Sequence, residues 1–137
     1  MPIYMNMTRN KVQIARGSVM SKGHEGWHDI QSVQLGHSEI VITRTQDDST
    51  PKLFAETLSG KPMVVTIDFV RMQDGKEEVY LSITLQDVLI SSYQLSGSGD
   101  HPMESLSLNF TKVTYDVHAK GPDVSGTIKT HPAVAHP

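Results

Sequence analysis

Cysteine is absent from the 137-residue sequence, which excludes disulfide bonds, thiolate metal sites and a cysteine nucleophile. Long apolar runs are also lacking. None approaches the ~18 residues of a membrane-spanning helix, so no membrane insertion is expected. The opening MPIYMNMTRNK has no charged segment followed by an apolar one, so export, if it occurs, would proceed without a classical signal peptide. Nor is there an excess of one charge: Lys+Arg 12 stand against Asp+Glu 15, a formal net charge of -3. Basic residues such as Arg9, Lys11, Arg44, Lys76 and Lys112 are scattered singly, without the basic stripe of a nucleic-acid binder. The length suffices for one domain with a single core and leaves no room for a second of ordinary size.

What is present reads mostly with period two, the signature of strands. In PMVVTIDFVR, Met63, Val65, Ile67 and Phe69 share one face; in EEVYLSITLQ, Val79, Leu81, Ile83 and Leu85 do. The connection MQDGKE offers Asp74-Gly75 for a tight hairpin, since such turns need residues at positive φ. Further strands are expected at IYMNM, around VQIARGSVM, at EIVITRT, at VLISSYQL and in SLSLNFTKVTYDV. The last changes phase, with Leu106, Leu108 and Phe110 on one face and Val113, Tyr115 and Val117 on the other. A strand of that kind either contains a bulge or passes from one sheet to another.

One helix is signalled in STPKLFAETLSGK, with Ser49 or Thr50 as cap, Pro51 in the first turn and Gly60 to close the C-terminus. It would be about ten residues long, too short to stand alone, and Leu53, Phe54 and Leu58 are the residues expected to pack it on the barrel. The connection SGSGDHPMES is Gly/Ser-rich, and the segment from His118 onward shows no sustained periodicity.

The stretch HEGWH, His24 to His28, matches the H-E-x-x-H pattern in which two histidines hold zinc and the glutamate acts as general base. That chemistry needs both histidines on one face of a rigid helix. Gly23 and Gly26 interrupt the stretch, each at about 1 kcal/mol against alanine in a helix, and HDIQSVQLG after it looks extended. The expectation is a glycine-rich turn with Trp27 packed on the core and the histidines facing solvent. SGSGD and LSGKP lack the continuation of a P-loop, no G-x-S-x-G elbow exists, and carboxylate pairs such as Asp47-Asp48 and Glu77-Glu78 read as solvated surface. No residue set calls for a cofactor or a metal.

Taken together, KGHEGW, STPKLFAETLSGK, IDFVR, EVYLSITLQDVLISSY and SGSGDHPMESLSLNFTKV resemble, in order and spacing, the haemolysin-coregulated protein (Hcp) family of bacterial type VI secretion. The resemblance runs from about Met1 to Val117. It implies a mainly β fold, a compact β-barrel formed by two antiparallel sheets with one short flanking α-helix, over residues 1–118, followed by a flexible C-terminal tail over 119–137. It also implies a structural subunit and no enzyme. Six copies would form a homohexameric ring, and rings would stack into a tube with sheath and spike proteins as partners. Small effector proteins would ride in the lumen, and the protein would move from bacterial cytoplasm to the outside or into a target cell. The turn at Gly23, His24, Glu25, Gly26 and Trp27 is a structural motif in that family. On phase, Ser32 and Gln34 are expected to face the lumen and Val33 and Leu35 the core.

Two features depart from the family pattern. Members carry a long Gly/Ser-rich loop that joins contacts between subunits and stacked rings, whereas this chain has only the short connection Gly36–Ser38. The tail after Val117 is expected to run past the end of the fold, and at 20 residues it is too short for a toxin domain. The shortened loop favours, as the alternative, an effector-chaperoning ring or adaptor that builds no long tube. A zinc peptidase through His24, Glu25 and His28 is the remote one.

Overall fold

In the computed structural model, which describes residues 2–36, 38–97, 102–117 and 124–129, the elements run β1 (Ile3–Arg9), β2 (Val12–Gln13), β3 (His28–Ile30), β4 (Ser32–Leu35), β5 (Glu39–Thr45), α1 (Thr50–Ser59), β6 (Met63–Gln73), β7 (Lys76–Ser96), β8 (Met103–Asn109), β9 (Lys112–Val117) and β10 (Val124–Lys129). All pairings are antiparallel. One sheet joins β2 and β3 to β1, then β6, the first part of β7, β9 and β10. The other joins β4, β5, β8 and the last part of β7. The class is mainly β with a single helix among the described residues, as expected, but the ladder does not close into a continuous cylinder. Strand β3 pairs only with β1 and β4 only with β5, with Gln31 between them donating its N–H to Thr43 at 2.8 Å.

The two sheets share β7, and its chemistry shows how. Residues Ile83 and Leu85 point into the core, Asp87 takes a positive φ of 54°, and the buried phase resumes at Val88 and Ile90. The register against β6 slips there, from Val65↔Leu85 to Met63↔Val88. The neighbouring chain bends at the same level: Thr111 donates its N–H to Gln86 at 3.1 Å and its hydroxyl to Asp87 at 2.7 Å. The phase change read between Phe110 and Val113 is this corner, where the chain leaves the second sheet as β8 and enters the first as β9.

Between the sheets lies an aliphatic core. Met5, Met7, Val65, Ile67 and Leu85 of the first sheet meet Ile40, Ile42, Leu106 and Leu108 of the second, all fully buried. Each such side chain contributes roughly 1.5–3 kcal/mol. A second, smaller cluster forms on the outer face of the first sheet, where Tyr4 and Val70 are covered by Val19 and Trp27. Val70 follows Asp68 onto that face by alternation, and Val79 of β7 joins it because the register shift from Phe69↔Leu81 to Val70↔Val79 leaves Tyr80 as an extra residue in β7. The hairpin between β6 and β7 turns on Asp74 and Gly75, both at positive φ (52° and 76°), as the pair Asp-Gly indicated.

Three expectations are corrected. The segment around VQIARGSVM forms only the two-residue β2; the rest is a loop whose Ile14 and Ala15 pack on the main core and whose Val19 covers the outer face. Residues 124–129, expected in a tail past the fold, belong to it as β10, which pairs with β9 from Val124↔Val117 to Lys129↔Lys112. And α1 docks through fewer residues than its pattern suggested. Leu53 is fully buried, but Phe54 is 51% exposed, with its ring centre 5.6 Å from that of Tyr93 in an edge-to-face pair, and Leu58 is 77% exposed. The helix is held by charge in place of those apolar contacts: Glu56 accepts from Arg9 of β1 at 2.8 Å, and Thr50 meets Arg44 of β5 at 3.5 Å. Ser49 precedes the helix without capping it, because its hydroxyl is committed to Asp47 at 2.5 Å. Urea unfolding should separate the two apolar positions: Leu53→Ala is expected to lose about 2–5 kcal/mol, and Leu58→Ala to stay within about 0.5 kcal/mol of the parent.

Candidate functional site

The HEGWH stretch is a turn running into β3, and its two imidazoles go to opposite sides of the first sheet. Contrary to expectation both are buried, His24 at 8% exposure and His28 at 1%. His24 lies on the outer face with its ring 4.9 Å from that of Tyr4 and edge-on to Trp27 at 4.6 Å. Its Nε2 is 2.9 Å from Asp68 Oδ2, and Ser82 donates to Asp68 Oδ1 at 2.7 Å. Ser, His and Asp are thus together in the wrong order for nucleophilic catalysis. The relay needs the imidazole between hydroxyl and carboxylate, whereas here the carboxylate stands in the middle and takes the serine's proton for itself. Glu25 is exposed and accepts the Gly23 N–H at 2.8 Å, a bond that closes the turn. The helical presentation required of a zinc peptidase is not formed, and among the described residues no group of three or more His, Asp or Glu is gathered for a metal ion.

His28 shares its side of the β1–β3 pair with Met5, directly opposite it, and so enters the space between the sheets. There it joins a buried charged cluster. Arg44 and Glu104 are paired directly across β5 and β8, both fully buried. Nη2 and Oε1 approach to 2.6 Å, as an ion-pair contact outside hydrogen-bond angles. Tyr93 of β7 donates to Glu104 Oε2. Arg44 Nη1 donates to His28 Nδ1 at 3.0 Å and to Asp47 Oδ2 at 3.1 Å. The guanidinium therefore ties β3, β5, β8 and the approach to α1 at one point.

Titration follows from this packing. Burial, and then the charge of Arg44, lowers the His28 pKa to about 4. Burial and then the bond to Glu104 raise that of the Tyr93 phenol. Burial alone would raise the Asp47 carboxyl, but hydrogen bonds from Ser49 and Arg44 outweigh it and hold the pKa below the usual value.

Ser32 and Gln34 are exposed on the outer face of the second sheet, while Val33 packs on the core. Leu35, expected to turn inward, is 47% exposed beyond the edge of the core. Register extends the Ser32/Gln34 face across the sheet, from Ser32 to Thr43, Ser105 and Gln94, and from Gln34 to Val41, Ser107 and Ser92. These side chains are hydroxyls, amides and one aliphatic group, and the exposed Glu39 carboxylate stands beside them on the same face of β5, lining a depression with Gln34 and Val41. The β4–β5 connection beside it closes through the Gly36 N–H on the Glu39 carbonyl at 2.7 Å, confirming its shortness.

The family described as "Type VI secretion system effector, Hcp" matches residues 34–117, more than half of the chain. The chain is a member of the Hcp family. Among its curated relatives is protein hcp1 of Pseudomonas aeruginosa strain PAO1, 36% identical over 88 residues. That match covers 62% of this chain and 54% of the relative, so the chain spans about half the length of the curated Hcp protein it matches. Solved Hcp structures share the fold. Secreted protein Hcp3 from Pseudomonas aeruginosa superposes with a TM-score of 0.79 at 24% identity, over 94% of this chain and 97% of that one. Hcp1 from Salmonella typhimurium gives 0.78 at 20%, over 94% and 95%. That superposition takes in almost the whole chain, in keeping with β10 as part of the fold.

Sequence reasoning passed over Arg44, Glu104, Tyr93 and Asp68, and read Arg44 as one of several scattered surface charges. The available signal was phase. Arg44 follows Ile40 and Ile42, and Glu104 precedes Leu106 and Leu108, so each stands at an inward position of its strand. In unfolding at fixed protein concentration, Glu104→Gln should lose about 3–5 kcal/mol by leaving the guanidinium uncompensated, and Arg44→Met with Glu104→Gln should recover at least half of that loss.

Proposed function

We propose that this chain is a ring-forming subunit of a type VI secretion apparatus, made in the bacterial cytoplasm and exported by the machine, with effectors carried in the ring lumen. Residues 1–118 with β10 would act as one building block, and no reaction is assigned to it. The observation that carries the reading is the exposed polar face around Ser32 and Gln34, on a two-sheet body of the Hcp family. A sheet face solvated on one side and packed on the other suits the wall of a water-filled hole. Hydroxyl and amide groups there offer hydrogen bonds to passing cargo. Sheet edges that β2, β4 and β10 leave unpaired among the described residues are places where a neighbouring copy could join, and a head-to-tail contact that closes produces a ring.

The short β4–β5 hairpin favours a second reading for part of this role. An effector-chaperoning ring or adaptor would need the lumen but not a long stacked tube, and this chain lacks the extended loop expected to join stacked rings. Sheath and spike proteins are the further partners of the first reading; the second does not need them.

Native mass measurement is expected to give a species of six times the 15.1 kDa chain, and negative-stain images rings; a chain that stays single at every concentration overturns both readings. Short stacks against isolated rings in the same images decide between them. With a co-expressed effector, Gln34→Ala should weaken retention while rings persist, and undiminished retention removes Gln34 from the cargo face.

A further inference from the structure

His28 Nδ1 has two polar neighbours, the Arg44 guanidinium at 3.0 Å and, farther off at 3.5 Å, the Ser49 hydroxyl. The nearer atom is Arg44 Nη1, and a guanidinium carries donors alone. The neutral ring therefore holds its proton on Nε2, a buried nitrogen without a hydrogen-bond partner. Space is closed on the same side. A Cβ on Gly17 would stand 2.8 Å from His28 Nδ1 and 2.4 Å from the Trp27 carbonyl oxygen, so the loop backbone rests directly against the ring. From that point the two limbs of the loop are bonded to each other, Gly17 N to Gly26 O at 2.7 Å, Val19 N to Trp27 O at 3.0 Å and Gly26 N to Val19 O at 2.8 Å.

The charged groups around the ring do not relieve a second proton. Asp47, from the segment before α1, is already committed to Arg44 and Ser49. Glu104, from β8, is taken up by Arg44 Nη2 and by Tyr93 of β7. Arg16 of the loop lines a depression of about 190 Å³ with Gly17, Asp47 and Ser49 and adds a further positive charge nearby. The Ala15 carbonyl favours a charged ring, less strongly than burial and Arg44 oppose it. A proton on Nδ1 would set one N–H against the nearer Arg44 N–H at 3.0 Å, with the Ser49 oxygen at 3.5 Å as the more distant acceptor.

We propose that His28 is an acid-sensitive latch, whose protonation breaks the Arg44 contact and releases the 14–27 loop and the first turn of α1 while the two sheets stay folded. The direction follows from linkage. The ring's pKa falls from 6.5 to about 4 in the closed form, so the opened form, in which the ring regains water, binds a proton more readily. Closure is complete in its advantage above pH 6.5, weakens as pH falls below it, and stops weakening only under about 4.

Hydrogen exchange on the intact protein tests this. After correction for intrinsic rates, protection at Gly17, Val19 and Gly26 is expected to fall roughly thirtyfold between pH 7.5 and pH 5.0, while Val65 and Ile67 of β6 hold theirs. In His28→Gln the loop should show the same protection at both pH values. Wild-type loop protection that does not change, or an equal fall in the variant, overturns the latch. Should the variant not fold, imidazole nitrogen shifts of the wild type decide: the Nε2–H tautomer with a protonation midpoint that coincides with loop opening supports the proposal. An Nδ1–H ring, or titration with the loop still closed, defeats it.

Discussion

A guanidinium and a carboxylate lie side by side between two aliphatic sheets, and the arrangement of everything near them follows. Removing both ions from water costs several kcal/mol per ion, a cost that mutual attraction offsets only when the remaining donors and acceptors are also engaged. Arg44 goes part of the way by drawing in His28 and Asp47 as well as Glu104, and Glu104 by drawing in Tyr93, while Arg44 Nε and Glu104 Oε1 stay without a hydrogen bond. Apolar packing alone allows neighbouring arrangements of similar free energy. A buried charge with a fixed set of partners discriminates among them, and here it sets where β3, β5, β8 and the start of α1 meet.

The two faces of the body have different tasks. The outer face of the first sheet is covered by its own chain, with Val19 and Trp27 over Tyr4 and Val70 and His24 held by Asp68. The outer face of the second sheet is uncovered by the described residues, and its side chains are mostly hydroxyls and amides that water solvates. HEGWH belongs wholly to the first task. A motif that suggests metal chemistry in one dimension is in three dimensions two separate anchors, one histidine on each side of a strand.

Much of this was legible in the sequence. Alternation located the strands of the central hairpin, Asp74-Gly75 named its turn, and the phase change after Phe110 marked the passage between sheets. What escaped were interactions whose partners are far apart in the chain. Period-two reading assigns a face but not a depth, so Leu35 and Leu58 were expected inside although the core ends before reaching them. Composition suggests that single histidines and arginines are solvated, because few are buried. Only the register that sets Arg44 opposite Glu104 reveals why this arginine is an exception. The strand after Val117 lacked a periodic apolar signal because an outermost strand needs backbone pairing more than a buried face.

Strand β7 belongs to both sheets over its 21 residues, and the corner at Asp87 turns it without interrupting it. Sheets that pack only through side chains can shear past each other, since dispersion contacts are individually weak and re-form after a slip. A shared backbone admits no such slip. Force applied to one layer of this subunit therefore reaches the other through covalent bonds, which makes the two-layer body stiff along the one direction in which a side-chain interface would be soft.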